Sequence, residues 1–434
     1  MKKTETFKYV IKEFHESQFP TLIQRELRIP KTNKITSLIG SRRSGKTFYF
    51  YQIMNELLDM GIPKDRLLYI NFEDDRLLPL DTDQLNDMLD AYYELYPNNK
   101  NAEKFFFFDE IQNIENWEVF VRRVYDKENA RIYVTGSSSK LLSKEIATSL
   151  RGRTLAFRLF PLSFREFLAF KGLSIPKDFA YSELRFKIKN LLNEYLDFGG
   201  FPEVVLDKEL KRDILLNYFE LLIYRDLAER FSIRNTMILR RLTKFLLTNI
   251  SSPFSINAYY KALKQETRVS KETIMEYLSY LTEINLIYLV PFFSYSLKVQ
   301  QVNPSKVYCT DNGLRNAVAL KFSADEGRLA ENTVFIELKR RGYDVHYWKG
   351  RKEVDFVVKD KNGRLTAINA SYTNEVNSRE LDGLLEFKEK FSADTQELLI
   401  LTKDFDDTRD GIKFVPLWKW LLGMPKEKEE HKSE

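Results

Sequence analysis

An eight-residue stretch at positions 40–47 constrains the fold of this chain more than any other feature. It reads Gly-Ser-Arg-Arg-Ser-Gly-Lys-Thr and matches the pattern G-x-x-x-x-G-K-[ST] at every fixed position. The apolar run 35–39 precedes it, and an aromatic-rich run with helical spacing follows it from Phe48 to Met60. A strand, a glycine loop and a helix in this order form a cradle whose backbone N–H groups point at phosphates. The segment therefore predicts a parallel α/β sheet that binds a nucleoside triphosphate; the alternative is an ordinary glycine-rich turn.

The side chains of this loop have separate roles in such a site. Lys46 is expected to reach the β- and γ-phosphates, and Thr47 is expected to ligate Mg²⁺. The glycines allow the backbone to approach the phosphates closely and to adopt positive φ. The predicted nucleotide-binding residues are Gly40, Ser41, Arg42, Arg43, Ser44, Gly45, Lys46 and Thr47.

A second nucleotide motif lies further along the chain. Four phenylalanines at 105–108 are followed by Asp109 and Glu110, which is typical of a buried strand ending in polar groups. Asp109 is expected to hold Mg²⁺ through water or Thr47, and Glu110 to polarise the attacking water. A further parallel strand is predicted within 66–74. The alternative is a solvated acidic pair after a core strand.

Polar residues also follow the next predicted strand, at 130–134. Ser137 in the serine-rich turn is a candidate contact for the γ-phosphate or the attacking water, although such turns are also ordinary loop chemistry. Arg151 and Arg153 lie a little further on. They suit an arginine finger that acts on the nucleotide of a neighbouring subunit, since arginine stabilises the charge of a transferring phosphoryl group. The alternative for the two arginines is a solvated basic turn.

The composition places this chain among globular proteins with several domains. A length of 434 residues predicts roughly two to four domains. The formal net charge is only +5, so any contact with nucleic acid must come from a local basic face. A single cysteine favours a reducing compartment, and we expect a cytoplasmic protein. No signal peptide is predicted, and no apolar run approaches the ~20 residues that would span a membrane.

The motifs together resemble a known family. The sequence is similar to archaeal and bacterial P-loop ATPases of the AAA+ type that carry a conserved C-terminal region of unknown function. The resemblance implies ATP binding and hydrolysis with Mg²⁺, a helical lid, a DNA-binding-type module and a nuclease-like tail. It rests on the segments 42–47, 108–112, 135–139, 151–153, 161–167, 198–202, 308–314 and 340–343.

The predicted fold class is α/β, with a P-loop NTPase core of the AAA+ type followed by smaller domains. The core is predicted to be followed by a lid of helices, a winged helix and an α/β domain of the restriction-endonuclease-like fold. The predicted boundaries are 1–155 for the core, 156–234 for the lid, 235–318 for the winged helix, 319–424 for the nuclease-like domain and 425–434 for a disordered tail.

The winged-helix prediction rests on three helical segments followed by a strand. The third helix begins after Ser270 and would enter the major groove of DNA. Winged helices also bind proteins, and Glu272 and Glu276 dilute the basic character of this helix. The candidate DNA contacts are Arg268, Lys271 and Lys298, with Thr273 and Tyr277 on the same helix and with Lys306 and Arg315 adding positive charge around the hairpin.

The nuclease-like prediction is qualified by missing residues. In active members of that fold, an Asp on the second strand joins a Glu-x-Lys on the third strand to hold Mg²⁺ and orient water. Glu331 and Asp355 are present, but the third strand reads Asn-Ala-Ser at 369–371. We therefore expect a nuclease-like scaffold with weakened or lost chemistry.

Three functions are compatible with these features. The first is an ATP-driven machine that acts on DNA as a homo-oligomer, for which the arginine finger favours a ring and most simply a hexamer. The second is an ATP-dependent switch or scaffold for a protein partner. The third is an ATP-regulated endonuclease with a weakened metal site.

Overall fold

The computed structural model of the chain divides into two compact units. One comprises residues 1–160 with 283–285, and the other comprises 161–282 with 286–434. The predicted site residues Ser137 and Arg151 and the predicted tail lie outside the described residues. No helix in the described part of the chain is both long and apolar enough to cross a membrane. The structure describes residues 3–136, 150, 152–176, 178–319, 325–373, 375 and 378–423.

The first unit alternates strands and helices, and this confirms the predicted α/β core. The elements described in this unit are α1 (Lys3–Glu16), β1 (Ile35–Ile39), α2 (Lys46–Asp59), β2 (Leu67–Asn71), α3 (Leu85–Leu95), β3 (Lys104–Asp109), α4 (Trp117–Lys127), β4 (Ala130–Gly136) and β5 (Thr154–Arg158). These five strands are all parallel and lie in the order β2-β3-β4-β1-β5.

The run of phenylalanines in β3 is explained by packing on both faces of this sheet. Every residue of β3 is buried. Phe106 and Phe108 belong to the apolar cluster on one face, and Phe105 and Phe107 belong to the cluster on the other. Successive side chains of a strand point to opposite faces, so a strand covered on both sides needs a continuous apolar run. The same packing fixes the carboxyl end of β3, where Asp109 lies.

The second unit begins with helices. Ser163 caps the first of them, since its hydroxyl accepts the Glu166 N–H and the Glu166 carboxylate accepts the Ser163 N–H. The helices are α5 (Phe164–Phe170), α6 (Leu184–Phe198), α7 (Pro202–Leu206), α8 (Lys211–Leu221), a π-helical segment (Leu222–Glu229) and α9 (Thr236–Thr248).

A small antiparallel sheet and four helices follow. The elements are β6 (Ser252–Phe254), α10 (Ile256–Lys264), α11 (Lys271–Glu283), β7 (Ile287–Val290), α12 (Leu297–Val302), β8 (Ser305–Cys309) and α13 (Asn312–Val318). The strands lie in the order β6-β8-β7.

The remaining elements include the strands of a six-stranded mixed sheet. They are α14 (Asp325–Arg340), β9 (Val345–Lys349), β10 (Glu353–Lys359), β11 (Leu365–Ser371), α15 (Ser378–Lys390), β12 (Thr395–Thr402), β13 (Asp407–Arg409), β14 (Ile412–Pro416) and α16 (Leu417–Leu422). The strand order is β13-β14-β12-β11-β10-β9. Strand β10 pairs antiparallel with β11, with Phe356 opposite Ile368.

Two glycine-containing motifs meet inside the second unit. The Gly200 N–H donates to Asp311 Oδ2 at 2.7 Å. A Cβ atom on Gly199, which has a φ of 72°, would lie 2.0 Å from Asp311 Oδ1. Burial raises the pKa of Asp311 to about 6, although the hydrogen bonds that its carboxylate accepts from backbone N–H groups lower the pKa. Glycine is therefore required here because of close approach and not because of loop flexibility.

Candidate nucleotide-binding site

The loop between β1 and α2 has the backbone of a tight cradle. Gly45 has a φ of 94° and immediately precedes α2, and Arg43 has a φ of 68°. The second value is unusual for a residue with a side chain, and such conformations are concentrated at ligand-binding loops. A Cβ atom on Gly40 would lie 2.3 Å from the Leu159 carbonyl oxygen. The predicted glycines are thus required by the geometry at both ends of the loop.

Lys46 folds back over its own loop. It is only 5% exposed, and its Nζ donates to the Gly40 and Ser41 carbonyl oxygens at 3.3 Å each. The same Nζ lies 3.4 Å from Glu110 Oε1. These contacts are long for hydrogen bonds of an ammonium group. The ammonium is therefore held at the loop by weak contacts.

Asp109 lies at the centre of a hydrogen-bonded group at the strand ends. Thr47 Oγ1 donates to Asp109 Oδ2 at 2.7 Å, and the Tyr69 hydroxyl donates to the same oxygen at 3.1 Å. Thr135 Oγ1 donates to Oδ1. Burial raises the pKa of Asp109, against the effect of the two threonine hydroxyls. The structure thus brings the predicted pair, Thr47 and Asp109, into direct contact.

Glu110 turns out of β3 in a left-handed conformation, with a φ of 52°. Its N–H donates to Thr135 Oγ1 at 2.9 Å, and its carboxylate accepts from the Gln112 side chain. Burial opposes ionisation, but the Lys46 ammonium, the Gln112 side chain and the Arg42 guanidinium together outweigh it and lower the pKa of Glu110. A carboxylate that stays ionised beside the phosphate loop is suited to accept a hydrogen bond from water.

The residues at this position fit a phosphate group with Mg²⁺. The Ser41 and Ser44 hydroxyl oxygens are buried and have no hydrogen-bond partner among the described residues, and each can donate to an anion. Thr47 and Asp109 offer oxygen ligands, which Mg²⁺ takes together with phosphate and water. In the described part of the chain, no group of three or more His, Cys, Asp or Glu side chains is arranged for a metal ion. At this position phosphate and water would supply the remaining ligands of Mg²⁺.

Thr135 and Arg25 belong to this site and were missed by the sequence prediction. The Arg25 guanidinium is buried and donates to the Ser44 carbonyl oxygen at 2.8 Å and to the Phe160 carbonyl oxygen at 2.7 Å. Its backbone N–H donates to Gln52 Oε1 at 2.8 Å. Thr135 could have been found as a polar residue at a strand end, but no sequence signal indicates Arg25.

The other residues predicted for the nucleotide site do not all lie on the loop at 40–47. Arg42, on the loop, pairs with Glu73 at 3.3 Å. Arg153 pairs with Asp126 on α4, Nε to Oδ1 at 2.9 Å. Ser137 and Arg151 lie outside the described residues, so their roles stay predictions.

The candidate DNA contacts divide into two sets. Arg268 and Lys298 are exposed, and Lys271 is partly exposed. The expectation that Tyr277, Lys306 and Arg315 face DNA is wrong, because Tyr277 is 6% exposed and the other two are fully buried. Arg315 lies in the interior of the second unit, where its Nε donates to the Leu247 carbonyl oxygen at 3.3 Å.

The structure also corrects part of the expectation for the C-terminal carboxylates. Glu331 and Asp355 lie together, and β11 has neither a carboxylate nor a lysine, as the sequence indicates. A lysine is nevertheless present at the cluster, because Lys306 reaches both carboxylates from β8. Sequence reasoning missed it because β8 lies outside the segment in which this lysine was sought.

Comparison with known proteins places these features in families. Residues 32–168 match the AAA domain family. Residues 189–326 and 326–420 match two domains of unknown function, DUF8612 and DUF4143. Among solved structures, the Walker-type ATPase PABY2304 of Pyrococcus abyssi shares 16% identity, with a TM-score of 0.42, over 65% of this chain and 90% of that chain.

Two curated relatives extend over nearly the whole chain. The uncharacterized protein MJ1544 of Methanocaldococcus jannaschii is 39% identical over 418 residues, which are 92% of this chain and 91% of the relative. An uncharacterized protein of Haemophilus influenzae is 32% identical over 404 residues, 92% of this chain and 97% of the relative. The chain therefore belongs to the same family as these two relatives, and within it residues 32–168 match the AAA domain family.

Proposed function

We propose that this protein hydrolyses ATP with Mg²⁺ and uses the turnover to act on DNA as a homo-oligomer. The observation that carries the proposal is the convergence of four side chains at the ends of β1 and β3. Thr47 contacts Asp109 at 2.7 Å, and Lys46 lies 3.4 Å from Glu110. An ammonium, a hydroxyl and two carboxylates in this arrangement are the parts that phosphoryl transfer needs.

The loop provides the binding half of this chemistry. The backbone N–H groups at the start of α2 and the Ser41 and Ser44 hydroxyls would hold the phosphates, and Lys46 would neutralise part of their charge. Thr47 and Asp109 would hold Mg²⁺. The bound ion supplies further charge neutralisation on the phosphate oxygens.

Glu110 provides the reactive half. Its carboxylate is partly buried next to the loop, and its lowered pKa favours the ionised form, which can orient a water molecule and accept its proton. It is paired with Lys46 in the structure. Phosphates would compete for the Lys46 ammonium and release Glu110 toward water. Binding of substrate would therefore also prepare the base.

The homo-oligomer is proposed from the arginines beyond β4. Arg151 and Arg153 would act on the nucleotide of a neighbouring subunit, with Ser137 contacting the γ-phosphate or the attacking water from within the subunit. A finger residue needs a partner site to act on, which favours a ring, most simply a hexamer. The ion pair between Arg153 and Asp126 would have to open for this role.

Contact with DNA is proposed through α11 and its surroundings. Three helices, α9 to α11, are followed by the antiparallel strands β7 and β8, which is the order of a winged helix. The accessible basic side chains are Arg268 before α11, Lys271 at its start and Lys298 near the hairpin. They would meet phosphates and make binding dependent on salt.

A second candidate is an ATP-dependent switch that binds a protein partner instead of DNA. The observation in its favour is the burial of Lys306 and Arg315, which removes two positive charges from the proposed DNA face. The exposed residues Glu272 and Glu276 lie on the same helix as Lys271 and reduce its basic character further. A winged helix with this charge pattern also suits a protein surface.

One experiment separates the two candidates. ATP hydrolysis is measured with duplex, single-stranded and branched DNA at two salt concentrations, with Lys46→Ala as the inactive control. DNA action predicts that at least one DNA raises the rate and that binding weakens as salt rises. A Lys271→Ala/Lys298→Ala variant should then lose stimulation while its rate without DNA is unchanged. An equal rate with every DNA, together with binding that is independent of salt, would reject DNA action and favour the switch.

A further inference from the structure

Lys306 is a lysine in the interior of the second unit. It lies on β8, paired with Pro253 of β6 and Val290 of β7. Only 1% of its surface is exposed. A buried ammonium is costly unless charged partners surround it. Negatively charged groups are therefore expected around the Lys306 ammonium.

Three carboxylates surround the Lys306 ammonium. Its Nζ lies 3.1 Å from Glu331 Oε1 on α14, 2.5 Å from Glu353 Oε1 and 3.1 Å from Asp355 Oδ1, both on β10. We call these four residues the Lys306 cluster. The ammonium thus joins the three-stranded sheet to the first helix and second strand of the C-terminal α/β domain.

The carboxylates of the Lys306 cluster have further hydrogen-bond donors. The Tyr308 hydroxyl donates to Glu331 Oε1 at 2.6 Å, and the Ala370 N–H donates to Asp355 Oδ2 at 3.0 Å. Asn369 follows Ile368, the β11 residue opposite Phe356 of β10. Its Oδ1 accepts a hydrogen bond from the Asp355 N–H at 2.9 Å. A neutral amide therefore lies where a nuclease of this fold would carry another carboxylate. Charged groups can be buried in this way when each of them has a charged partner and hydrogen-bond donors for its remaining oxygen atoms.

The position of the ammonium excludes a divalent ion from the same place. Mg²⁺ and Ca²⁺ lie about 2.0–2.6 Å from carboxylate oxygens, and Lys306 Nζ lies 2.5–3.1 Å from oxygens of all three carboxylates. An ion at the centre of these oxygens would overlap the nitrogen and repel it. Burial, together with Asp355, raises the pKa of Glu331 to about 8. Protonation of Glu331 near neutral pH therefore reduces the negative charge that the single ammonium has to compensate.

We propose that Lys306 is an internal cation that takes the place of a divalent metal ion in the C-terminal domain. The side chain closes the carboxylate cluster and holds β8 against α14 and β10 without any bound metal. The residues of the cluster do not fit a nuclease metal site as they stand. This inference is independent of the proposed ATP hydrolysis.

The test is direct binding of Mn²⁺, measured by electron paramagnetic resonance on full-length protein without nucleotide. Four proteins are compared: the wild type, Asp355→Asn, Lys306→Met and the double variant. We expect no difference in Mn²⁺ binding between the wild type and Asp355→Asn, because the ammonium occupies the cluster. Lys306→Met should gain one Mn²⁺ site that disappears in the double variant.

Two results would overturn the inference. The first is a Mn²⁺ site, or Mg²⁺-dependent DNA cleavage, in the wild type that Asp355→Asn abolishes; this comparison does not depend on whether Lys306 variants fold. The second is a folded Lys306→Met protein with no Asp355-dependent Mn²⁺ site. If Lys306→Met is unfolded, circular dichroism replaces the binding measurement. Refolding by millimolar Mn²⁺ in Lys306→Met but not in the double variant supports the inference, and failure of Mn²⁺ to refold it counts against it.

Discussion

Lys46 and Lys306 are both buried lysines beside carboxylates, but the groups around them differ. Lys46 has one carboxylate partner, at 3.4 Å, and two long contacts to its own loop. Two serine hydroxyls of the same loop lack partners among the described residues. Lys306 has three carboxylates within 3.1 Å. The first lysine lies beside polar groups that can still bind an anion, and the second lies in a cluster that its own charge completes.

Burial alone does not distinguish a lysine that binds a ligand from one that stabilises the fold. The useful observation is whether the polar groups nearby are satisfied, because an unsatisfied buried group costs free energy that a ligand can recover. The loop at 40–47 keeps such groups, and the Lys306 cluster does not. Substitution should therefore mainly reduce the stability of the fold at Lys306 and mainly reduce ligand binding at Lys46.

The largest expected effect is on stability at the second lysine. Lys306→Ala leaves the carboxylates of Glu331, Glu353 and Asp355 without a cation, and breaking a buried pair in this way costs about 3–5 kcal/mol. We expect the free energy of unfolding, measured by urea denaturation followed by circular dichroism, to fall by that amount. Lys298→Ala, at an exposed position, is the control and should change it by less than about 0.5 kcal/mol. Equal stability of the two variants would show that the cluster does not need its ammonium.

Substitution of the first lysine should remove ligand binding and leave stability nearly unchanged. Saturating Mg²⁺ with a non-hydrolysable ATP analogue at 100 times its Kd stabilises a protein by about 2.7 kcal/mol. In Lys46→Ala this stabilisation should be lost, while the unfolding free energy without nucleotide stays within about 1 kcal/mol of the wild type. The measurement is thermal unfolding with and without the analogue, and Lys127→Ala on α4 is the control. Full stabilisation of Lys46→Ala by the analogue would contradict the proposed role of the loop.

A smaller effect is expected at Thr135, which supports the first site. Its hydroxyl donates to Asp109 and accepts the Glu110 N–H. Thr135→Val keeps the shape but leaves these buried groups unsatisfied, at a cost of about 1–3 kcal/mol. Both the unfolding free energy and the rate of ATP hydrolysis should fall, and Thr135→Ser should restore most of the loss. A valine variant with wild-type stability and rate would remove Thr135 from the site.

A separate effect is expected on the pH dependence of stability at the Lys306 cluster. Burial, together with Asp355, raises the pKa of Glu331 from 4.5 to about 8. Between these values the unfolded chain has lost the proton that the folded protein retains, so the unfolding free energy falls as pH rises. Glu331→Gln lacks this proton and should show a shallower fall between pH 5 and 8, measured by urea unfolding. Parallel curves for the two proteins would contradict the raised pKa.

Much of the first site could be predicted because its chemistry is local in the sequence. The loop, the helix after it and the acidic end of β3 each depend on residues within a few positions of one another. Arg25 and Lys306 could not be predicted, because their partners lie far away in the chain. Lysines are almost never fully buried unless they are paired, so without the carboxylates in view Lys306 is expected at the surface.

In the proposed function, Glu110 acts as the base of an ATP-hydrolysing site beside Lys46. The most direct measurement is steady-state phosphate release with Mg²⁺ and ATP by the wild type and by Glu110→Gln, with ATP binding measured in parallel. We expect binding to be retained in the variant and phosphate release to fall at least about 100-fold, since a positioned general base contributes about 10²–10⁴-fold. Phosphate release by Glu110→Gln at the wild-type rate, or a wild type that releases none, would contradict the account.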